Sequence, residues 1–380
     1  MDSSNFFPFA DNLSKINQEG PATEKLNIIH EEIKRHMPFI ERIAVAIYEE
    51  ERDLLKTYIC SDAGEKALQF YQSKLSESLT LKNIADNKLP RVINDLSIFD
   101  QSSREHSKNI AQRGYGSSHT TPFYNNGHFA GLIFINACET NVFDEITCHE
   151  LSPFIHLIGM LVCKEIDQVK ILFGSVTTAL EISHHRDPET GAHLERMSRY
   201  ARLIARELAP SHQLNDEYIE FIFRFSPLHD VGKVAIPDSI LLKNDKLTEE
   251  EFDEMKRHTV IGCEMIDRML SNFRLENMEH TKMLRNIIEL HHEAIDGTGY
   301  PRGLREDEIP LEARIIAVAD IFDALTSERP YKKAWSNDDA FTELRKISGS
   351  KVDGNCVAAL ENSLKMVLEI QSQFQDDPLG

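Results

Sequence analysis

Apolar positions recur along this chain with two different periods, and the period changes near the middle. Residues 43–60, IAVAIYEEERDLLKTYIC, form two β-prone runs around an acidic turn. Residues 116–136 form a second pair around Asn125-Asn126-Gly127, and Asn-Gly is the dipeptide that closes two-residue hairpins. The stretches LNIIHEEIKRHM, before the first hairpin, and GEKALQFYQSKLSES, after it, space their apolar residues near 3.6 and predict helices. This half is read as α+β with an antiparallel sheet.

From 150 to 182 an apolar stripe runs through Ile155, Ile158, Val162, Ile166, Val169, Phe173, Val176 and Leu180 in steps of three and four. It predicts a long connecting helix whose stripe is either ordinary core or the seam of a parallel homodimer. Beyond 183 strand signals almost vanish. RMSRYARLIARELA, EYIEFIFRFSPLHD, EEFDEMKRHTVIGCEMIDRML, TKMLRNIIELHHEA, LEARIIAVADIFDAL and CVAALENSLKMVLEI all carry the helical period, so this half is read as all-α. Pro237, Gly297 to Gly303 and Ser348 to Gly354 punctuate it.

The length of 380 residues favours at least two domains, and 41% apolar with 27% charged residues is an ordinary globular composition. A formal charge of -20 opposes binding to polymeric nucleic acid and to anionic membranes, so a phosphate-bearing ligand has to meet a local cationic site such as a bound metal cluster. Six cysteines at 60, 138, 148, 163, 263 and 356 contain no CxxC, which indicates neither a zinc ribbon nor a disulfide framework. With no basic leader and no run of about 18 uncharged apolar residues, the expectation is a soluble, cytoplasmic protein.

Several imidazoles and carboxylates of the helical half sit near helix ends: Glu189 with His193, then His229-Asp230, His258, His291-His292 and Asp320. Glu189 and His193 are four apart, a same-face spacing on a helix, although Gly191 lies between them. Adjacent helix residues diverge by about 100°, so each adjacent pair can serve two ions or two edges of one cluster. The set exceeds what one ion needs. Imidazole and carboxylate without thiolate suit iron, manganese or another first-row ion, and closely spaced divalent ions suit phosphoester hydrolysis. His184, His185, His212 and His280 are read as ordinary surface or hydrogen-bonded histidines, and Asp-Gly-Thr-Gly at 296–299, taken alone, is a turn.

Four runs carry a resemblance: HDVGKVAIPDSILLK at 229–243, KRHTVIG at 256–262, HHEAIDGTGYPRGL at 291–304 and ARIIAVADIFDALTSERPYKKA at 313–334. In that order they resemble the HD-GYP phosphodiesterases over about the C-terminal 200 residues, with the triplet Gly299-Tyr300-Pro301 intact. The resemblance implies a helical domain, here 183–375, holding an iron- or manganese-type cluster that hydrolyses the bacterial messenger cyclic di-GMP to pGpG, in some members onward to GMP. It places metal ligands at His193, His229, Asp230, His258, His291, His292 and Asp320, and Glu189 matches members that hold three ions instead of two. Asp230 and Lys233 fall at catalytic positions, and Tyr300, Arg329 and Lys332 at positions that contact substrate. Residues 20–165 look like a GAF domain, a fold that commonly binds small molecules; NVFDE at 141–145 lacks the spacing of its cyclic-nucleotide signature, so the effector is unassigned. Two other readings remain: the same enzyme acting on a hybrid cyclic GMP-AMP, and a scaffold that binds nucleotide or a diguanylate cyclase without turnover.

Overall fold

A computed structural model describes residues 11–18, 20–61, 71–99, 114–182, 191–243, 245–273, 275–276, 280–328 and 334–375. The chain divides into two compact units, Met1–Ile166 and Asp167–Gly380.

The first unit is built on a six-stranded antiparallel sheet. After α1 (Ala22–His36), the strands are β1 (Ile40–Glu49), β2 (Leu54–Cys60), β3 (Gln72–Lys74), β4 (Arg91–Ile93), β5 (Ser117–Asn125) and β6 (His128–Ala137), in the spatial order β3-β2-β1-β6-β5-β4. α2 (Leu79–Asn87) lies between β3 and β4 in the chain, and α3 (Glu145–Ile182) follows β6. Asn126 and Gly127 turn the β5-β6 hairpin with φ of 50° and 85°, the two left-handed positions that an Asn-Gly turn supplies. Alternation along β1 then sorts the two faces. Ile43, Val45 and Ile47 pack with Leu26, Ile29 and Ile33 of α1 and with Leu151, Ile155, Ile158 and Val162 of α3. Ala46 and Leu132 face the other way, onto Leu81, Ile84 and Ala85 of α2. A fully buried isoleucine or leucine contributes about 1.5–3 kcal/mol, so both layers are held by burial rather than by the few surface ion pairs.

One expectation needs correction here. The stretch 64–78 reads as a helix from its apolar spacing, but Gln72–Lys74 pairs with Leu54–Lys56 at the sheet edge and Leu75–Glu77 is a 3₁₀ turn. Ladder hydrogen bonds override the weak period there; 62–70 lie outside the described residues. The stripe on α3 is core in its first half, where Ile155, Ile158, Val162 and Ile166 belong to the packing of the first unit. Over Glu145–Ser175 this helix is also long and apolar enough to cross a membrane, but its inner face is the core just described.

The second unit is helical, with no strand among its described residues. Its helices are α4 (Gly191–His212), α5 (Asp216–Phe225), α6 (Asp238–Leu241), α7 (Glu249–Lys256), α8 (His258–Asn272), α9 (Thr281–Leu290), α10 (Leu311–Thr326), α11 (Asn337–Ile347), α12 (Gly354–Asn362) and α13 (Leu364–Gln373). α4 packs against α5, α10 and α12. Tyr200 of α4 meets Phe322 of α10 edge-on at 5.2 Å, and Phe322 meets Phe341 of α11 at 4.9 Å.

Candidate metal centre

Helix ends, not helix faces, deliver most of the site. His193 projects from the first turn of α4, and His229 and Asp230 follow a 3₁₀ turn, Ser226–Leu228, that ends α5. His258 opens α8, His291 caps α9 with His292 just beyond, and Asp320 lies inside α10. Gly232 makes the convergence possible: a Cβ there would stand 1.9 Å from the His258 carbonyl oxygen and 2.6 Å from the Gly262 nitrogen. The 3₁₀ turn Val231–Ala235 can therefore lie against α8 and bring Asp230 beside His258.

The side chains form two groups. Asp230, His258, His291 and His292 offer ligand atoms all within 4.8 Å of one another, and His193, His229 and Asp320 do the same. The Asp230 carboxylate belongs to both neighbourhoods. Its Oδ1 is 3.0 Å from His258 Nε2 and 3.6 Å from His291 Nε2, while its Oδ2 is 2.9 Å from His229 Nε2. Across the second group, His193 Nε2 and Asp320 Oδ1 are 3.9 Å apart. Ligands at right angles, each ~2.1 Å from an ion, stand about 3 Å apart, so these separations fit edges of coordination shells.

Hydrogen bonds behind the rings fix which nitrogen faces inward. Nδ1 of His229, His258 and His291 lies 2.9, 2.7 and 2.9 Å from the carbonyl oxygens of Ser226, Met255 and Ile287. A carbonyl only accepts, so each Nδ1 carries the proton and each Nε2 presents a lone pair to the site. His258 Nε2, His291 Nε2 and Asp230 Oδ1 are buried there without a hydrogen bond. Buried lone pairs aimed at a carboxylate repel one another unless a cation stands among them, and these residues therefore fit bound divalent ions. Burial lowers the pKa of His291, and burial followed by the neighbouring His291 lowers that of His292, so both stay neutral and able to ligate. Burial alone would raise the Asp230 carboxyl, but the Lys233 ammonium beside it acts the other way and keeps it ionised.

The surroundings hold two residues that the sequence did not single out. Asp323, one helical turn after Asp320, accepts from His193 Nδ1 at 2.8 Å and from Arg196 Nε and Nη2 at 2.7 and 2.9 Å. The Asp-x-x-Asp spacing in ADIFDAL was the available signal. Glu293 accepts from the backbone nitrogens of Arg302, Gly303 and Leu304 at 2.6, 3.1 and 2.9 Å and so shapes the loop that carries Tyr300. Gly299 is required in that loop because a Cβ would stand 2.2 Å from the Ala294 nitrogen. Tyr300 lies over His292 with ring centroids 4.8 Å apart, and burial, then Asp230, raises its pKa so that the phenol stays protonated. Lys233 Nζ is 2.7 Å from Asp230 Oδ2, reached through the 3₁₀ turn that follows Asp230. Glu189, Arg329 and Lys332, with His184 and His185, lie outside the described residues. His280 stacks on Phe221 at 4.3 Å beside Glu217, and His212 bonds its own helix, neither contributing to the centre.

Residues 182–356 match the family model of the HD domain. The helical unit is an HD domain. His229, Asp230 and the Gly299-Tyr300-Pro301 loop all lie within the matched residues, and Tyr300 of that loop lies against His292. The HD domain is similar to the cyclic di-GMP phosphodiesterase response regulator RpfG of Xanthomonas campestris, 46% identical over 190 residues that cover 50% of this chain and 47% of that protein. It is also similar to a cyclic di-GMP phosphodiesterase of Thermotoga maritima, 40% identical over 196 residues, 52% of this chain and 50% of that one. A Vibrio cholerae protein named 3'3'-cGAMP-specific phosphodiesterase 2 is 38% identical over 191 residues, 50% of this chain and 34% of that one. The chain thus spans about half or less of the length of these curated relatives. The first unit, ahead of the HD domain, is a six-stranded antiparallel sheet with flanking helices. The solved GAF domain of a Coxiella burnetii phosphoenolpyruvate-protein phosphotransferase is similar at a TM-score of 0.33 and 14% identity, covering 40% of this chain and 89% of that one.

Proposed function

We propose that this chain hydrolyses cyclic di-GMP to pGpG at the centre described above. The observation that carries the reading is Asp230, a buried carboxylate with one oxygen toward His258 and His291 and the other toward His229. His193, His229, Asp230 and Asp320 would hold one ion and Asp230, His258, His291 and His292 a second. Iron is the favoured metal, with manganese as the alternative, since all these donors are imidazole or carboxylate. Glu189 is proposed as a ligand to a third. When bound, such ions neutralise phosphodiester oxygens and acidify water.

The chain's own residues supply the rest. The inward Nε2 lone pairs and the ionised Asp230 keep the ion sites charged and oriented, and Asp323 holds the His193 ring from behind. Lys233 places a cation beside Asp230, within reach of an anionic substrate's oxygens. Tyr300 walls one side and remains a hydrogen-bond donor, and Arg329 and Lys332 are proposed to grip the second phosphate. Protein loaded anaerobically with iron, or with manganese, is expected to convert cyclic di-GMP to pGpG with two or three metals per chain by elemental analysis. Asp230→Ala is expected to lose at least 100-fold in rate, on the order of a lost catalytic metal site, together with bound metal. Variant activity equal to wild type defeats the reading. The names of the Vibrio cholerae relatives make hybrid cyclic GMP-AMP the second substrate to assay in parallel.

A parallel homodimer through α3 is part of the same proposal. Ile146, Met160 and Ile171 are 69%, 70% and 54% exposed. At ~100° per residue they fall within about 40° of one line down the helix, a seam separate from the core-facing stripe. Sedimentation is expected to give a dimer for the wild type and monomer for Met160→Glu; a wild-type monomer at high concentration removes this element.

A further inference from the structure

The turn that ends α13 is fastened to the wall behind the metal centre. Arg196 stands three residues after His193 on α4 and is 4% exposed. Its guanidinium is a rigid fork of donors, and the fork is divided between a carboxylate and a carbonyl. Nε and Nη2 donate to the two oxygens of Asp323 at 2.7 and 2.9 Å, and Nη1 donates to the backbone oxygen of Phe374 at 2.9 Å. Asp323, 1% exposed, accepts in turn from His193 Nδ1 through Oδ2 at 2.8 Å. Ser327 Oγ joins the same knot, accepting from Arg196 Nη2 at 2.7 Å and donating to Asp323 Oδ2 at 3.0 Å. A continuous series of hydrogen bonds therefore runs from Phe374 through Arg196 and Asp323 to a histidine of the centre.

Phe374 is a fixed point. It leaves α13 with φ of -118° and ψ of 70°, so its carbonyl departs from the helical ladder and is open to a donor from outside. Its ring lies against the guanidinium of Arg199, 4.1 Å from the ring centroid, and Arg199 is 2% exposed and three residues beyond Arg196 on the same face of α4. Two arginines on one turn of α4 thus hold a single residue, one by its carbonyl and one by its ring. The last turn of α13 is tied a second time, where Gln371 and Asn337 of α11 exchange side-chain amide hydrogen bonds, each 2.9 Å long.

The anchoring matters because neither side chain in the middle of the series is rigid by itself. The terminal torsion of a carboxylate is broad and the arginine stem has many rotamers. Held at Phe374, the fork sets the plane of Asp323, and Asp323 sets the rotation of the His193 ring, whose Nε2 faces Asp320 Oδ1 at 3.9 Å. His193 belongs to the group with His229 and Asp320. In the other group, His258 and His291 are oriented by backbone carbonyls of α7 and α9 instead. We infer that Arg196 is a positioning residue for the His193 group, and that Phe374, by holding Arg196, makes the end of α13 part of the support of one ion and not of the other; this rests on the two-ion reading of the centre.

Equilibrium dialysis of the full chain against Mn2+ tests it without reference to turnover. Phe374 is half-buried, so its variants spare the core. Phe374→Ala is expected to weaken one ion about 10–100-fold, the range that follows loss of a partner behind a metal-bound histidine, and to leave the other within a few-fold. Phe374→Tyr, which keeps a ring for Arg199, is expected to restore wild-type binding. Arg196→Lys, whose point-like ammonium cannot span carboxylate and carbonyl as a fork does, is expected to match Phe374→Ala. In a His193→Ala background the same ion is already weakened, and Phe374→Ala is expected to add no further loss there. Losses that add in the double variant, or equal weakening of both ions, mark a general loosening of the helical unit and overturn the inference, as does wild-type binding in Phe374→Ala. A wild type that takes up no Mn2+ overturns the two-ion reading itself, and the inference with it.

Discussion

His119 shows how one side chain ties the first unit to pH. It is buried on β5, beside Phe143 at 5.8 Å, and burial pushes its pKa from 6.5 down to about 4. The folded state keeps this ring neutral where the unfolded chain would protonate it. Stability is therefore full above about pH 6.5, falls as pH drops towards about 4, and levels off below. At pH 5 the loss is roughly 2 kcal/mol, which protection factors of residues 117–137 at pH 7 and pH 5 would read, and His119→Asn is expected to flatten the dependence. At this same scale the sequence revealed the metal ligands because each sits in a recognisable run beside another ligand. It hid Asp323 and Glu293, whose importance lies in what they accept: an isolated carboxylate on a helix or in a turn reads as solvated until the His193 ring and the loop nitrogens are seen against it.

Elements matter here mainly through where they stop. Five of the seven described ligands lie at or just beyond helix termini, where backbone can turn sharply and adjacent residues can point to one place. His229 thus faces one ligand group while Asp230 reaches both, whereas His291 and His292 share one, with rings 4.0 Å apart. Periodicity marks helices well and their ends poorly. It ran TKMLRNIIELHHEA together as helix although α9 ends at Leu290, and it joined α7 to α8 across Arg257. It also made a helix of Gln72–Lys74, whose pairing partner on β2 is not visible from local spacing. The contact between the turn Val231–Ala235 and α8 is equally non-local, and it is testable. Gly232→Ala drives a methyl into the His258 carbonyl, so it is expected to cost about 1–3 kcal/mol by urea unfolding and to reduce bound metal, because the turn and α8 must part. Unchanged stability and metal content would show that the turn yields freely.

The molecule as a whole carries a charge of -20, so any anion it takes up has to meet a local concentration of positive charge. The HD domain gathers carboxylates and neutral imidazoles that need cations, so its stability is linked to metal by mass action. At a thousand times the dissociation constant that linkage is about 4 kcal/mol. Trp335, the chain's one tryptophan, lies in this unit and is 39% exposed. Its fluorescence is expected to report earlier thermal unfolding after chelation, while exchange in the β1–β6 sheet stays unchanged; a shift in both would mean the units unfold as one. The division into sheet and helical halves was legible because strand alternation, present in the first half beside helical spacing, gives out near the middle of the chain.

The shared carboxylate has one more consequence. Because Asp230 turns an oxygen to each cluster of histidines, occupancy on one side sets the angle and charge that the other side receives. Were ions to fill both groups, their affinities would be coupled through this one side chain, and filling one would alter the charge that the other meets.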